Sequence, residues 1–448
     1  MRVLIVSSNS LPAAPSGPAY VAGAVRQAGH TVEIFESLHA ADLQQALADR
    51  LQAFQPDVVG LSIRLVHGDV QDPAAPFGTR YLDLRPRVRE IAALIRQNSP
   101  APIVLGGPGF GYYARDWLET LDLDCGICGE GEVAFPLLLE RLAGGGEPAD
   151  VPGCITRRAG GFRVVPPQRV EDLDSQALPA YDLVDWERCA AHQVLPAIFT
   201  KRGCAFDCTF CPYGKLEGQR YRLKSPERVL AEVEHSLQHT PARKLMFCDN
   251  SFNVPRSHAV LLCRAFIDRG VDFQWGTGDL KPIGVTDEFC RLMRDSGCFY
   301  ANLSVESASE AMLRRMKRGY SATQVRESLE ALSRSGLPFG ASLMFGAPGE
   351  TPDTIAETLR LMADYEIPLG VWVTLGVYLW TEHQAIVPEL RQSGWLPADR
   401  SLFDGPVHFS PALPAADFQA LVAELRARPG YTVQVNRADL RSGAPVNR

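Results

Sequence analysis

The chain of 448 residues exceeds the roughly 100–200 residues of one ordinary domain, so two or three domains with ample core are expected. Its 46% hydrophobic and 22% charged residues are those of a soluble globular protein, and no apolar run reaches the roughly 18 residues of a membrane span. A net charge of −7 offers no general attraction to phosphate backbones, which argues against nucleic acid and for a small-molecule substrate. The opening MRVLIVSSNS enters a strand without the basic segment and cleavage site of a secretory signal, which points to the cytoplasm.

In chain order the pattern predicts strand 2–7, helix 18–29, strand 31–36, helix 40–54, strand 57–63, helix 84–97, strands 102–106 and 124–128, and helix 132–143. Strands alternating with helices imply a parallel sheet covered on both faces, with ligands beyond the carboxyl ends of its strands. Residues 1–145 are therefore read as a doubly wound α/β domain. From GGGEPADVPG onward glycine, proline and short charged pieces predominate, and 146–195 is read as a linker with one small hairpin.

A second alternation follows: strand 196–200, a cysteine loop, then strands 244–248, 272–277, 299–305, 338–345 and 369–377 with helices between them. That pattern suits a partial (β/α) barrel over 196–385, with its active site at the carboxyl ends of the strands. Residues 386–448 read as a small, partly helical appendage carrying no motif.

Of eleven cysteines, eight sit in apolar or helical patterns and read as small buried hydrophobes. Cys125 and Cys128 form a CxxC pair, but strand alternation would split a shared site between them. The remaining three, Cys204, Cys208 and Cys211, stand as Cys-x-x-x-Cys-x-x-Cys directly after the first barrel strand, in TKRGCAFDCTFCPYG. Three thiolates on one tight loop reach three corners of a four-iron cluster and leave the fourth iron open to an external ligand. A zinc loop is the alternative. Zinc usually takes paired cysteine turns or added histidines, and the nearest ones, His192 and His235, have no ligand spacing.

With Phe210 before its last cysteine, this loop resembles that of the radical S-adenosylmethionine superfamily. LMFCDNSFNVP, LSVESAS and MFGAPGET then resemble that family's motifs on the second, fourth and fifth barrel strands, in order. The resemblance implies a 4Fe–4S cluster on the three cysteines and S-adenosylmethionine on the open iron. Cleavage of that cofactor to a deoxyadenosyl radical would follow, with an electron donor such as flavodoxin or ferredoxin. Its candidate contacts here are Phe210, Asp249, Glu306, Ser342, Gly346 and Gly349. Gly346 and Gly349 would let the backbone approach a flat adenine, and Glu306 could accept hydrogen bonds from ribose or ammonium. Glu306 could instead serve a helix cap or salt bridge, and Asp249 with Asn250 could merely shape a turn. Arg220, Arg222 and Lys224 either face the anionic cofactors or neutralise nearby acids.

The pieces AYVAGAVRQAGHTVEIFE, DVVGLSI, IVLGGPGFG and ICGEGEVAF resemble the cobalamin-binding domain attached to one class of these enzymes. That likeness makes the first domain a Rossmann-like cobalamin-binding domain. Gly106, Gly107 and Gly109 are then expected near the macrocycle, and Arg64 near the lower face of cobalt unless it pairs with Asp69 or Asp72. No Asp-x-His-x-x-Gly motif occurs, so cobalt would lack a histidine ligand. The class implies methyl transfer to carbon of a small metabolite or natural-product intermediate. Cyclisation, oxidation or rearrangement by the same architecture is the alternative, and a noncatalytic cofactor-binding protein a third.

Overall fold

The computed structural model describes residues 1–71, 79–270, 272–405, 407–409 and 415–435. The chain forms two compact units, one of residues 1–68, 83–198 and 228–243, the other of 69–82, 199–227 and 244–448.

The first unit is built on a seven-stranded sheet in the order Thr31–Glu36, Arg2–Ser7, Val58–Ser62, Ile103–Gly106, Cys125–Ile127, Cys154–Arg158, Gly161–Val164. The first five strands run parallel and the last two antiparallel. Val3, Leu4 and Val6 are all 0% exposed, as consecutive apolar residues must be in a strand covered on both faces. The chain leaves Arg2–Ser7 to one side and returns on the other, which opens a crevice at the carboxyl ends of Arg2–Ser7 and Val58–Ser62. Helix Ser16–Gln27 carries Gly23 because a Cβ there would lie 2.1 Å from the Leu178 carbonyl oxygen.

The expected linker 146–195 is largely domain structure. Its hairpin extends the sheet, and Tyr181, Trp186 and Cys189 form a core cluster with Ala19 of that helix. The strands were illegible as domain structure because they are short and joined by glycines, and because the two aromatic anchors lie in a proline-containing stretch without regular period. Residues 228–243, most of helix Pro226–His239, also belong to this unit. Glu232, 0% exposed, accepts from Tyr20 Oη at 2.7 Å and Arg228 Nε at 2.9 Å.

In the second unit the sheet runs Lys244–Phe247, Gln274–Leu280, Cys298–Glu306, Phe339–Phe345, Val371–Leu375, Tyr431–Val435, every pairing parallel. The expected strand at 196–200 is the short Ala197–Ile198. Tyr431–Val435, with helix Ala415–Ala427 before it, lies in the stretch read as an appendage, yet extends the barrel sheet by another βα unit. The irregular connection from 386 onward hid that relationship. Capping boxes at Ser321 and Thr351 start helices Ala322–Ser335 and Pro352–Ala363. No helix among the described residues is long and apolar enough to cross a membrane.

Candidate functional site

The three-cysteine loop is clamped at its base. Strand Lys201–Arg202 pairs antiparallel with Arg222–Leu223, and Gly203 sits between strand and loop at φ +89°, where a Cβ would lie 2.1 Å from the Arg220 carbonyl oxygen. Only glycine fits there. Within the loop, Cys204 N donates to the Gly218 carbonyl at 2.9 Å and Cys211 N to the Cys208 carbonyl at 3.1 Å.

Burial pushes the Cys204 thiol up and, with smaller contributions from the neighbouring cysteines, the Cys211 thiol up to about 11. Thiols that repel one another as anions are the donor set a cationic cluster would hold deprotonated. Among the described residues no group of three His, Cys, Asp or Glu could hold a single ion, whereas a four-iron cluster takes one thiolate per iron.

Asp249 is bound up with the strand that enters the loop. Its oxygens accept from Thr200 N at 2.7 Å, Thr200 Oγ1 at 2.5 Å and Lys201 N at 3.3 Å, and Lys201 Nζ lies 3.4 Å away. Both oxygens help to fix the chain that enters the loop. Asn250 does similar work, donating to Glu217 at 2.6 Å while Glu217 also accepts from Gly203 N at 3.2 Å. Arg222, buried like Lys224 of the expected basic group, donates to the Glu217 carbonyl at 3.1 Å.

Glu306 ends its barrel strand at φ +59°, a strained conformation for a residue with a side chain. Burial raises its pKa, opposed chiefly by Arg318, whose guanidinium lies 3.4 Å away. Arg318 also donates to Cys208 Sγ at 3.2 Å and to Tyr320 Oη at 2.9 Å, and stands 5.4 Å from the Phe210 ring centroid. Glu306 is thus tied to the cysteine loop, Phe210 included, by a residue the sequence reading missed. In RMKRGYSA nothing marks Arg318 as buried.

Lys281 was missed too. It pairs with Asp279 at 3.0 Å, and Asp279 accepts from Ser304 Oγ at 2.8 Å. Ser342 accepts from Asn302 at 2.6 Å, so both pairs extend the polar row carried by these strands. Gly346 and Gly349 have φ of +91° and +87°. Glu350, after this turn, accepts from Thr354 Oγ1, and burial lifts its carboxyl to about 7.

At the carboxyl edge of the first sheet the three candidate glycines differ. Cβ atoms on Gly107 and Gly109 would lie 2.6 Å and 3.0 Å from the Ile63–Arg64 backbone, whereas nothing lies within 4 Å of one on Gly106. Gly107 and Gly109 are used up in packing two loops together, and Gly106 alone faces open space. Arg64 is exposed. The Asp69 and Asp72 side chains that could pair with it lie outside the described residues. Glu36, not singled out from the sequence, ends the edge strand with both carboxylate oxygens buried and unpartnered. Burial lifts its pKa to about 7 against Ser7, Asn9 and Arg64. A buried acceptor and an open glycine, at the carboxyl ends of two strands of one sheet, suit a corrinoid, whose peripheral amides carry N–H donors.

Residues 2–139 match the model of the B12 binding domain, and residues 198–362 that of the radical SAM superfamily. An uncharacterized methyltransferase of Pyrococcus horikoshii is 27% identical over 79% of this chain and 74% of its own length. The anaerobic magnesium-protoporphyrin IX monomethyl ester cyclase of Rubrivivax gelatinosus is 25% identical over 80% of this chain and 63% of its own. Among solved structures, the radical S-adenosylmethionine methyltransferase TsrM of Kitasatospora setae, with cobalamin and a [4Fe-4S] cluster bound, superposes with a TM-score of 0.81. At 20% identity it covers 97% of this chain and 91% of that one.

Proposed function

We propose that this chain, a member of the radical SAM superfamily with a B12 binding domain ahead of its radical SAM domain, transfers a methyl group to carbon of a small molecule. The observation that supports this most is the presence in one chain of that B12 binding domain and a rigid three-thiol loop whose sequence leaves a fourth iron open. When bound, the cluster supplies the electron that cleaves S-adenosylmethionine, and the corrinoid carries the methyl group.

The chain's own groups do the rest. Cys204, Cys208 and Cys211 hold the irons, and Gly203, Asp249 and Lys201 keep the loop that carries them in place. Glu306 accepts hydrogen bonds from the nucleoside or ammonium once S-adenosylmethionine is present, and the turn at Gly346 and Gly349 gives adenine a backbone surface without side-chain bulk. In the first unit Glu36 accepts from corrinoid amides, with Gly106 leaving room for the ring and Arg64 near cobalt. Electrons come from a small carrier such as flavodoxin or ferredoxin, and the enzyme works in the cytoplasm.

Ring formation is the second reading, favoured by the cyclase relative. The test is anaerobic reconstitution with iron, sulfide and hydroxocobalamin, followed by S-adenosylmethionine labelled in its methyl group. Label in the corrinoid fraction is expected. Cleavage of S-adenosylmethionine without corrinoid binding or label transfer would favour the second reading.

A further inference from the structure

We propose that Arg318 sets the reduction potential of the cluster, through a hydrogen bond to Cys208 Sγ and a buried positive charge that it shares with Glu306. This rests on the reading that Cys208 is a cluster ligand.

The geometry is that of a fixed donor. Arg318 is 2% exposed. Its Nη1 lies 3.2 Å from Cys208 Sγ, its Nη2 3.4 Å from Glu306 Oε1, and its Nε donates to Tyr320 Oη at 2.9 Å. Tyr320 in turn donates to the Ser304 carbonyl at 2.6 Å. The guanidinium carbon stands 5.4 Å and 5.3 Å from the ring centroids of Phe210 and Tyr320. Each nitrogen of the guanidinium is therefore engaged, and rotation away from the sulfur would break several contacts at once.

A buried cation needs an anion. Among the described residues Glu306 is the carboxylate paired with it, and the ligand thiolate is its other acceptor. One-electron reduction adds a negative charge to the cluster without making or breaking a bond. A nearby N–H donor and a poorly screened positive charge favour that reduced form, which raises the potential. Glu306 draws on the same guanidinium and so opposes the effect. The two residues should thus move the potential in opposite directions, which a merely structural role for Arg318 does not produce.

The test is a redox titration of the anaerobically reconstituted protein, without S-adenosylmethionine, with dithionite as reductant and the cluster's absorbance and EPR signal as readouts. Arg318→Gln is expected to shift the midpoint to more negative values at unchanged iron content. Arg318→Lys, which keeps the charge but loses the fork, should fall between that variant and wild type. Glu306→Gln should shift the midpoint to more positive values. An unchanged midpoint in Arg318→Gln overturns the proposal. If that variant takes up no iron, Glu306→Gln decides, and the absence of a positive shift there overturns it equally. Failure of the wild-type chain to assemble a cluster would instead remove the functional reading on which this one stands.

Discussion

Lys201 and Asp249 form an ion pair at 3.4 Å, with side chains 1% and 0% exposed, at the point where the chain enters the cysteine loop. Lys201 Nζ also donates to the Phe252 carbonyl at 2.8 Å, and Asp249 takes the backbone and side-chain donors of Thr200. Removing one partner leaves a buried charge uncompensated. Asp249→Ala should therefore destabilise the protein by about 3–5 kcal/mol, measured by urea unfolding, and should lower the iron held per chain after reconstitution. A variant with wild-type stability and iron content would show that the pair does not support the loop.

Replacing Cys204, Cys208 and Cys211 together by alanine should abolish iron uptake and the broad cluster absorbance near about 400 nm. Cys125 and Cys128 are partly buried in the first unit, and their double serine variant should keep both. A full cluster in the triple variant would refute the ligand assignment.

Gly106 and Gly107 are adjacent but should respond differently to substitution. Gly107→Ala meets the Ile63 carbonyl at a φ of +91° and should cost about 1–3 kcal/mol of stability. Gly106→Leu enters open space, so it should leave the fold intact while weakening hydroxocobalamin binding, measured by absorbance titration. Unaltered affinity in Gly106→Leu would place the corrinoid elsewhere.

Glu350 gives a pH dependence of defined sign. Burial raises its pKa from 4.5 to about 7, so the folded state binds its proton more tightly than the unfolded chain does. The associated stability is complete below pH 4.5 and is lost as pH rises to about 7. At about 1.36 kcal/mol per unit the loss is on the order of 3 kcal/mol. Glu350→Gln cannot ionise, and its urea midpoint should fall less than the wild type's between pH 5 and pH 8. Parallel declines in the two proteins would show that Glu350 titrates normally.

The sequence by itself determined what depends on local pattern. Alternating strands and helices specified two parallel α/β sheets, because hydrophobic period and turn residues are local properties. Cysteine spacing specified the cluster loop, because three ligands on one short loop need no distant partner. Tertiary structure decided which groups meet across distance. Arg318 is brought to Cys208 and Glu306 by the folding of separate barrel segments, and its burial carries no mark in a stretch as polar as MKRGY. Asp249 anchors the loop because Thr200 and Lys201, remote in sequence, bond to its oxygens. Gly107 and Gly109 are used by the neighbouring Ile63–Arg64 backbone, so the same lack of a side chain that suggested a ligand serves packing instead. Glu36 reads as an ordinary strand-end acid in TVEIFE, and only the packing around its carboxylate leaves both oxygens buried without a partner. Tyr431–Val435 joins the barrel sheet because Val371–Leu375 offers it an open edge, and an unpaired edge is created by the fold rather than by any one segment.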